Sequence, residues 1–403
     1  MKESMSLKER ILREAEALTP EIIEIRRHIH RHPELSYAEH ETARYISRRL
    51  EMLGIEHRTG VAGTGVVGFI RGEAPGNGLT VGLRADMDAL PIMEATGTPY
   101  RSVNEGIMHA CGHDAHVAML LGTAAILNGM RSEFAGTVLL VFQPGEEKAP
   151  GGARLMIGSG IFDSLSPDLF IAQHVVPDLP SGTIGFHSGP YMASCDEIYI
   201  TVAGQGGHAA RPAEYTDQVY IASELVIALK DTINETSRDK APTVFGIGRI
   251  TGLGATNVIP ATVDIACTFR TFDEDWRNEA KQVMRNTAAK VAESRGVTIK
   301  VSIVEGYPVL VNDEALTSKA RTLTEYLVGK DRVADMPVRM SSEDFSFFAE
   351  KYPSFMFRLG ITRQGEKIRQ AHTSEFDIDE SAMTAGTAAM SWLAQNLIMI
   401  RRG

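Results

Sequence analysis

Three short apolar runs, each ending in acidic or histidine residues, constrain this chain more than any other feature. Leu79–Leu83 runs into Arg84-Ala-Asp86-Met-Asp88, Thr137–Phe142 into Gln143-Pro-Gly-Glu146-Glu147, and Leu169–Ala172 into Gln173-His174-Val175. Such runs, set among glycine and proline, read as buried strands. In an open α/β sheet the helices cross back along the faces, so the carboxyl ends of the strands are left to loops and form the ligand crevice. A single carboxylate at a strand end is ordinary turn chemistry. Reactive side chains repeated at several ends predict an α/β sheet with one shared polar centre.

Between the first and second of these runs lies His109-Ala-Cys111-Gly-His113-Asp-Ala-His116, followed by an apolar helical stretch, Val117–Met130, that supplies a crossover. A cysteine and a histidine two residues apart can reach one ion, and these donors suit zinc, cobalt, manganese or nickel better than calcium or magnesium. Thiol catalysis is the rival chemistry; it requires a base and an oxyanion site. The octapeptide alone leaves both open. In the pair Glu146-Glu147, adjacent side chains after a strand point different ways, so one can hold a metal while the other faces an attacking water.

Around this core the chain changes texture twice. Leu7–Ala17 reads as one helix and Pro20 to about His30 as a second, with Arg26, Arg27, His28 and His30 on a charged helix-end surface. Ala38–Leu53 is an amphipathic helix ended by Gly54. From Ile198 the order is strand (Ile198–Val202), helix (Tyr215–Glu235), two strands (Thr243–Ile250, Thr262–Phe269), helix (Glu274–Arg295) and strand (Val297–Val304). That β-α-β-β-α-β order predicts a split two-layer α+β domain. The α/β texture then resumes with a helix at Asp313–Leu327, a strand at Ser354–Leu359 and a helix at Ser381–Ile398. The expected architecture is an α/β catalytic domain with a central mixed sheet and helices on both faces, formed by residues 1–191 and 307–403, with residues 192–306 inserted.

Composition removes several classes of function. A chain of 403 residues, 43% hydrophobic, can build two cores. Its net charge of −10 leaves no general basic footprint for nucleic acid, and no apolar run is long enough to span a membrane. Cys111, Cys195 and Cys267 are too few and too scattered for a disulfide framework. With no early secretory-type run, a cytoplasmic location is expected. Gly63-Thr-Gly65 and the Gly72–Gly78 turn lack the spacing and following helix of a dinucleotide-binding fingerprint.

Several stretches together resemble the M20 metallopeptidase family, in particular its aminoacylase, hippurate hydrolase and auxin-conjugate amidohydrolase branch. They are Arg84-Ala-Asp-Met-Asp-Ala-Leu-Pro91, Met108-His-Ala-Cys-Gly-His-Asp-Ala-His116, Gln143-Pro-Gly-Glu-Glu147, His174-Val175, Gly206-Gly-His-Ala-Ala-Arg-Pro212, Asn257-Val-Ile-Pro260, Ser342-Glu-Asp-Phe345 and His372. They run in family order from about Ile25 to Leu397.

The resemblance implies two divalent ions per subunit, manganese, zinc, cobalt or nickel, bridged by Cys111, with Glu147 and His372 completing one site and His113 and His174 the other. It makes Glu146 the general base and acid, and Asp88 the carboxylate that orients an imidazole. It makes the insert a lid and dimerisation domain whose His208 reaches a partner's active site to stabilise the oxyanion, and it gives Asn257 and Arg270 the substrate carboxylate. Asp86 stays outside the ligand set, and His109, His116 and His187 are assigned to packing or support. The implied reaction is hydrolysis of the amide of an N-acyl amino acid or short peptide by a homodimer, with no nucleic acid or membrane partner. A dipeptidase or carboxypeptidase is the near alternative. A catalytically silent metal-binding sensor, which has no need of Glu146, is the alternative of a different class. The chain departs from the family pattern at Ala261, Ala266-Cys267 and Ser341, positions that touch the expected substrate pocket and remove no ligand.

Overall fold

The computed structural model describes residues 5–399. It divides into two compact units, one formed by the chain through Gly189, by Val311–Pro337 and from Asp344 onward, the other by Pro190–Leu310 and Val338–Glu343.

The first unit opens with two helices, α1 (Leu7–Arg31) and α2 (His40–Met52), and then strands β1 (Glu56–Val61), β2 (Gly65–Arg71) and β3 (Thr80–Asp86). Helix α3 (His113–Gly129) follows, then β4 (Thr137–Gln143), β5 (Leu169–Pro180) and β6 (Ile184–Phe186). With the later strands Val333–Asp335 and Ser354–Thr362 these make one eight-stranded sheet, in the order β1, β2, β4, β3, β5, Ser354–Thr362, β6, Val333–Asp335. It is mixed: β4, β3, β5 and Ser354–Thr362 run parallel, while β1 and β2 pair antiparallel at one side. Central strands β3 and β4 are buried along nearly their whole length, as strands covered on both faces must be.

Register places the polar strand ends together. Asp86 pairs with Gln143 across β3 and β4, and Arg84 with Ala172 across β3 and β5. The chains leading to Asp88 and to Glu146-Glu147 therefore leave the sheet from neighbouring strands at the same edge.

Four local features differ from the sequence expectation. Helix α1 is continuous through Pro20. A proline removes one helical hydrogen bond, but the stripe Ile11, Ala15, Ile22, Ile25 and Ile29 is buried as a single face, and burying that face outweighs the break. Helix α3 begins at His113, four residues before the apolar run, because Gly112 adopts φ 86° and turns the chain into the helix. A Cβ on Gly112 would sit 2.4 Å from Val175 Cγ2, so the turn also depends on a close approach that glycine permits. Strand β5 extends past its apolar run to Pro180, held by parallel pairing with Ser354–Thr362, and so His174 lies within a strand, opposite Arg358. The exposed, polar edge strand β1 carries no apolar alternation by which it could be predicted.

The second unit has a four-stranded antiparallel sheet in the order Thr243–Thr251, Thr262–Thr271, Asp196–Ala203, Thr298–Glu305. Helices Gln218–Thr236 and Glu274–Arg295 pack on it, Ile221, Leu225, Leu229, Trp276, Ala280 and Met284 meeting Ile198, Ile200, Val263 and Phe269 in one core. Strand Asp196–Ala203 alternates buried and open positions, as expected for a sheet with one covered face. The β-α-β-β-α-β order agrees with the sequence pattern.

Candidate metal centre

His113 is the first residue of α3, and its orientation follows from its Nδ1. That nitrogen lies 2.9 Å from the Asp88 carbonyl oxygen and 3.2 Å from Asp88 Oδ1, both acceptors, so it carries the proton. Nε2 is then the nitrogen left to face a metal; it is buried and has no hydrogen-bond partner among the described residues. His174 repeats the arrangement: Nδ1 donates to the Val175 carbonyl at 2.6 Å, and Nε2 stands 3.5 Å from Cys111 Sγ. A buried imidazole lone pair without a partner is costly unless something accepts it.

The donors gather around Cys111. Cys111, His113 and His174 bring one ligand atom each within 4.8 Å of one another, and so do Cys111, Glu147 and His372. The cysteine common to both triads suits a bridge between two ions. Glu147 Oε1 is 3.1 Å from His372 Nε2 and 4.0 Å from His113 Nε2. Glu146, 6% exposed, forms a third group with His113 and Glu147. His372 arrives on a loop with φ 62°, a left-handed conformation that histidine tolerates better than most residues, and its N–H bonds the Ala110 carbonyl at 2.8 Å.

A fourth triad, Asp86, His113 and His116, is close enough to hold an ion but is already committed to protein partners. Asp86 Oδ2 takes the Arg84 guanidinium at 2.6 Å and Oδ1 takes His116 Nδ1 at 2.6 Å. His116 Nε2 accepts the Val175 N–H at 2.9 Å, so neither of its nitrogens is left for a metal. The Asp88 carboxylate receives three donors at once. Besides His113, it receives the Glu147 N–H at 3.0 Å and the Ser36 hydroxyl at 2.6 Å.

Electrostatics prepare this pocket for positive charge. Burial opposes charge on His113, but the Asp86 carboxylate and the Asp88 hydrogen bond overcome it and hold its pKa well above the usual histidine value, so ligation through Nε2 must displace a proton. Burial, with Arg358 and His116, keeps His174 neutral and free to ligate. Burial and then the Glu147 carboxylate push the Cys111 thiol up to about 12, so ligation through sulfur must expel a proton. The donor set, two imidazole nitrogens gathered around a thiol, a carboxylate and a further histidine, fits a pair of borderline divalent ions.

In the second unit His208 lies in the two-residue strand Gly207–His208, which pairs with Val258–Ile259. Its Nδ1 accepts the Ala210 N–H at 3.1 Å, and the neighbouring Ala209 N–H bonds the Asn257 carbonyl at 3.1 Å. Those bonds bring His208 and Asn257 to one turn region. Arg270, near the end of its strand, donates to the Met340 carbonyl at 3.0 Å and lines a hollow of about 460 Å³ with Tyr199, Gly248 and Thr268.

Residues 82–396 match Peptidase family M20/M25/M40. The chain belongs to this family. It is 37% identical over 395 residues to thermostable carboxypeptidase 2 of Saccharolobus solfataricus, covering 97% of this chain and 98% of that protein. To N-acetyl-L-cysteine deacetylase of Bacillus subtilis it is 38% identical over 381 residues, covering 94% and 89% respectively. The crystal structure of the Bacillus subtilis YXEP protein, a dinuclear metal binding peptidase from the M20 family, matches with a TM-score of 0.82 at 33% identity, over 95% of this chain and 99% of that one. As an M20-family member the chain is a metal-dependent hydrolase, and its clustered donors are candidate ligands for a binuclear metal site.

Behind the donors this M20-family chain carries a buried charged network that helix-end reasoning misplaces on the surface. Arg26 and His30 are fully buried and meet Asp114 in the first turn of α3. The signal was present in the helical period: Arg26 follows Ile22 by four residues and His30 follows Arg26 by four, on the same stripe as the buried isoleucines.

Proposed function

We propose that this protein hydrolyses the amide bond of N-acyl amino acids, with Cys111, Glu147 and His372 holding one divalent ion and Cys111, His113 and His174 the other. The observation that carries the proposal is the sharing of Cys111 by two donor triads with Glu146 beside them. Manganese, zinc, cobalt or nickel bound there would polarise the amide carbonyl and acidify a water. Glu146 accepts the proton of that water as it attacks and delivers it to the amide nitrogen as the C–N bond breaks. Asp88 keeps the His113 ring and the Glu147 backbone in place throughout. His208 from a partner protomer donates to the developing oxyanion, and Asn257 with Arg270 receives the substrate's free carboxylate. That assignment makes the working form a homodimer. Three cysteines, none in a disulfide, favour a reducing compartment such as the cytoplasm.

A second reading, a carboxypeptidase or dipeptidase acting on short peptides, is favoured by the similarity to thermostable carboxypeptidase 2. Both substrates present the same attacked amide and the same free carboxylate. Protein loaded in turn with each of the four metals and offered acyl amino acids and dipeptides separates them by relative kcat/KM. Glu146→Gln is expected to retain both ions and lose about 10²–10⁴-fold in kcat. Full turnover by that variant would reject Glu146 as the base, and tight metal binding by the native chain without hydrolysis of any substrate would favour the silent sensor.

A further inference from the structure

The two halves of the proposed metal site come from distant parts of the sequence. Cys111 and His113 sit at the start of α3, a helix buried for most of its length, whereas His372 belongs to a stretch between Thr362 and Ala382 that contains no helix or strand. A bridged pair of ions needs these halves held at a fixed spacing, since donor positions must agree to a few tenths of an ångström. One link is the bond from the His372 N–H to the Ala110 carbonyl. A single backbone bond fixes a distance and leaves a hinge.

We infer that Arg26 is a positioning residue that clamps the Cys111–His113 half of the metal site to the His372 half by holding Asp114 and Asp377 from α1. Arg26 Nε donates to Asp114 Oδ2 at 2.7 Å, and Asp114 immediately follows His113. Arg26 Nη2 donates to Asp377 Oδ1 at 2.8 Å, and Asp377 lies on the same irregular stretch as His372. Nη1 reaches Glu380 at 3.2 Å, further along it. The planar guanidinium directs these donors in a rigid fork, so the two carboxylates are fixed in angle as well as distance.

Each carboxylate has a second partner. His30 Nδ1 is 2.8 Å from the same Asp114 oxygen, Oδ2, and Asp377 is held at its other oxygen, where the Tyr100 hydroxyl donates to Oδ2 at 3.1 Å while its ring stacks 4.9 Å from the guanidinium carbon. The Arg26 and Asp114 side chains are wholly shielded from water, and Asp377 is 11% exposed. Buried ion pairs are poor sources of stability compared with apolar residues of similar volume. Their strength is geometric, and the geometry here spans the two stretches that carry metal donors. The clamp rests on the proposed ligand set, and its test keeps the two separable.

The experiment titrates metal-free protein with Zn²⁺ against a chromophoric chelator, and with Co²⁺ while following thiolate-to-cobalt absorption. In native protein two ions bind, and Cys111→Ala abolishes the thiolate band. Arg26→Met and Arg26→Lys are expected to weaken one of the two ions by about 10–100-fold and to change the spectrum of the second equivalent, leaving that of the first in place. Asp377→Asn, nearer the surface, should act in the same direction and serves if the Arg26 variants do not fold. Leu50→Ala, a core truncation in the same unit, is the control for general loosening and should lower the melting temperature without changing either affinity. Native affinities for both ions in folded Arg26 and Asp377 variants would overturn the clamp, as would an equal loss in Leu50→Ala. Native protein that binds fewer than two ions, or a Cys111→Ala chain that keeps both, would instead overturn the ligand set.

Discussion

In the first unit, Arg26, Arg84, Asp86, Asp88, His113 and Asp114 are each no more than 1% exposed, whereas in the second His208 and Asn257 are exposed and Arg270 is half-buried. The first group is held by side chains: Asp86 between Arg84 and His116, Asp88 between His113 and Ser36, Asp114 between Arg26 and His30. The second is tied almost entirely to backbone, His208 to Ala210 and Arg270 to Met340. Buried polar atoms need partners, and a network in which most partners are side chains of the chain itself is largely rigid before any ligand arrives. Exposed groups need no partner and take their geometry from whatever they meet. The contrast is between groups whose geometry is built in advance and groups whose geometry is left open.

Substitutions can break or sharpen that contrast. The largest effect is expected from Cys111→Ala, which removes the one donor common to both triads: both ions should be lost by elemental analysis and activity should fall to background. His116→Ala, next to it in sequence, should retain both ions, because its nitrogens are engaged by Asp86 and the Val175 N–H. His208→Ala should lower kcat by about 10²–10³-fold with metal content unchanged and stability within about 0.5 kcal/mol of native. Loss of metal in that variant would erase the distinction between the units.

A pH effect on stability should originate in the first unit. Burial of Glu94, whose side chain is 4% exposed, would raise its pKa, but His30 at 3.3 Å and the Ser102 N–H at 2.7 Å outweigh burial and bring it to about 2. The folded value is depressed below the ordinary carboxylate value of 4.5, so the stabilisation is present above pH 4.5 and is lost as pH falls from there through about 2. Acid denaturation of Glu94→Gln should be flatter across that window by roughly 3 kcal/mol at most; an unchanged profile would place the sensitivity elsewhere. The smallest effect is expected from Asp88→Asn, which keeps the shape and loses the charge behind His113: metal affinity should fall by about 10–100-fold, read by competition with a chelator.

Much of this was legible in the residues. The three strand ends announced the crevice, the helix at Glu274–Arg295 was visible in the sequence and ends in the structure at Gly296 with φ 63°, and the inserted order of elements followed from alternation in the strands. These features are local, because strand and helix periods are written in neighbouring residues. The octapeptide at His109 was legible as a site but not in its division of labour. Three of its histidines have similar sequence surroundings. Only packing makes His113 turn Nε2 into the pocket, closes both nitrogens of His116, and buries His109 with neither nitrogen hydrogen-bonded among the described residues, burial lowering its pKa to about 4.

By itself the sequence determined most of the elements, their order and the kinds of donor available, since each depends on contacts within a few residues or on residue chemistry alone. The tertiary structure decided which donors share an ion-sized space, that α1 runs unbroken through Pro20, and that Arg26 and His30 face inward. Those outcomes depend on burial against partners remote in the chain, and the energy of burial exceeds the local preferences that a sequence displays.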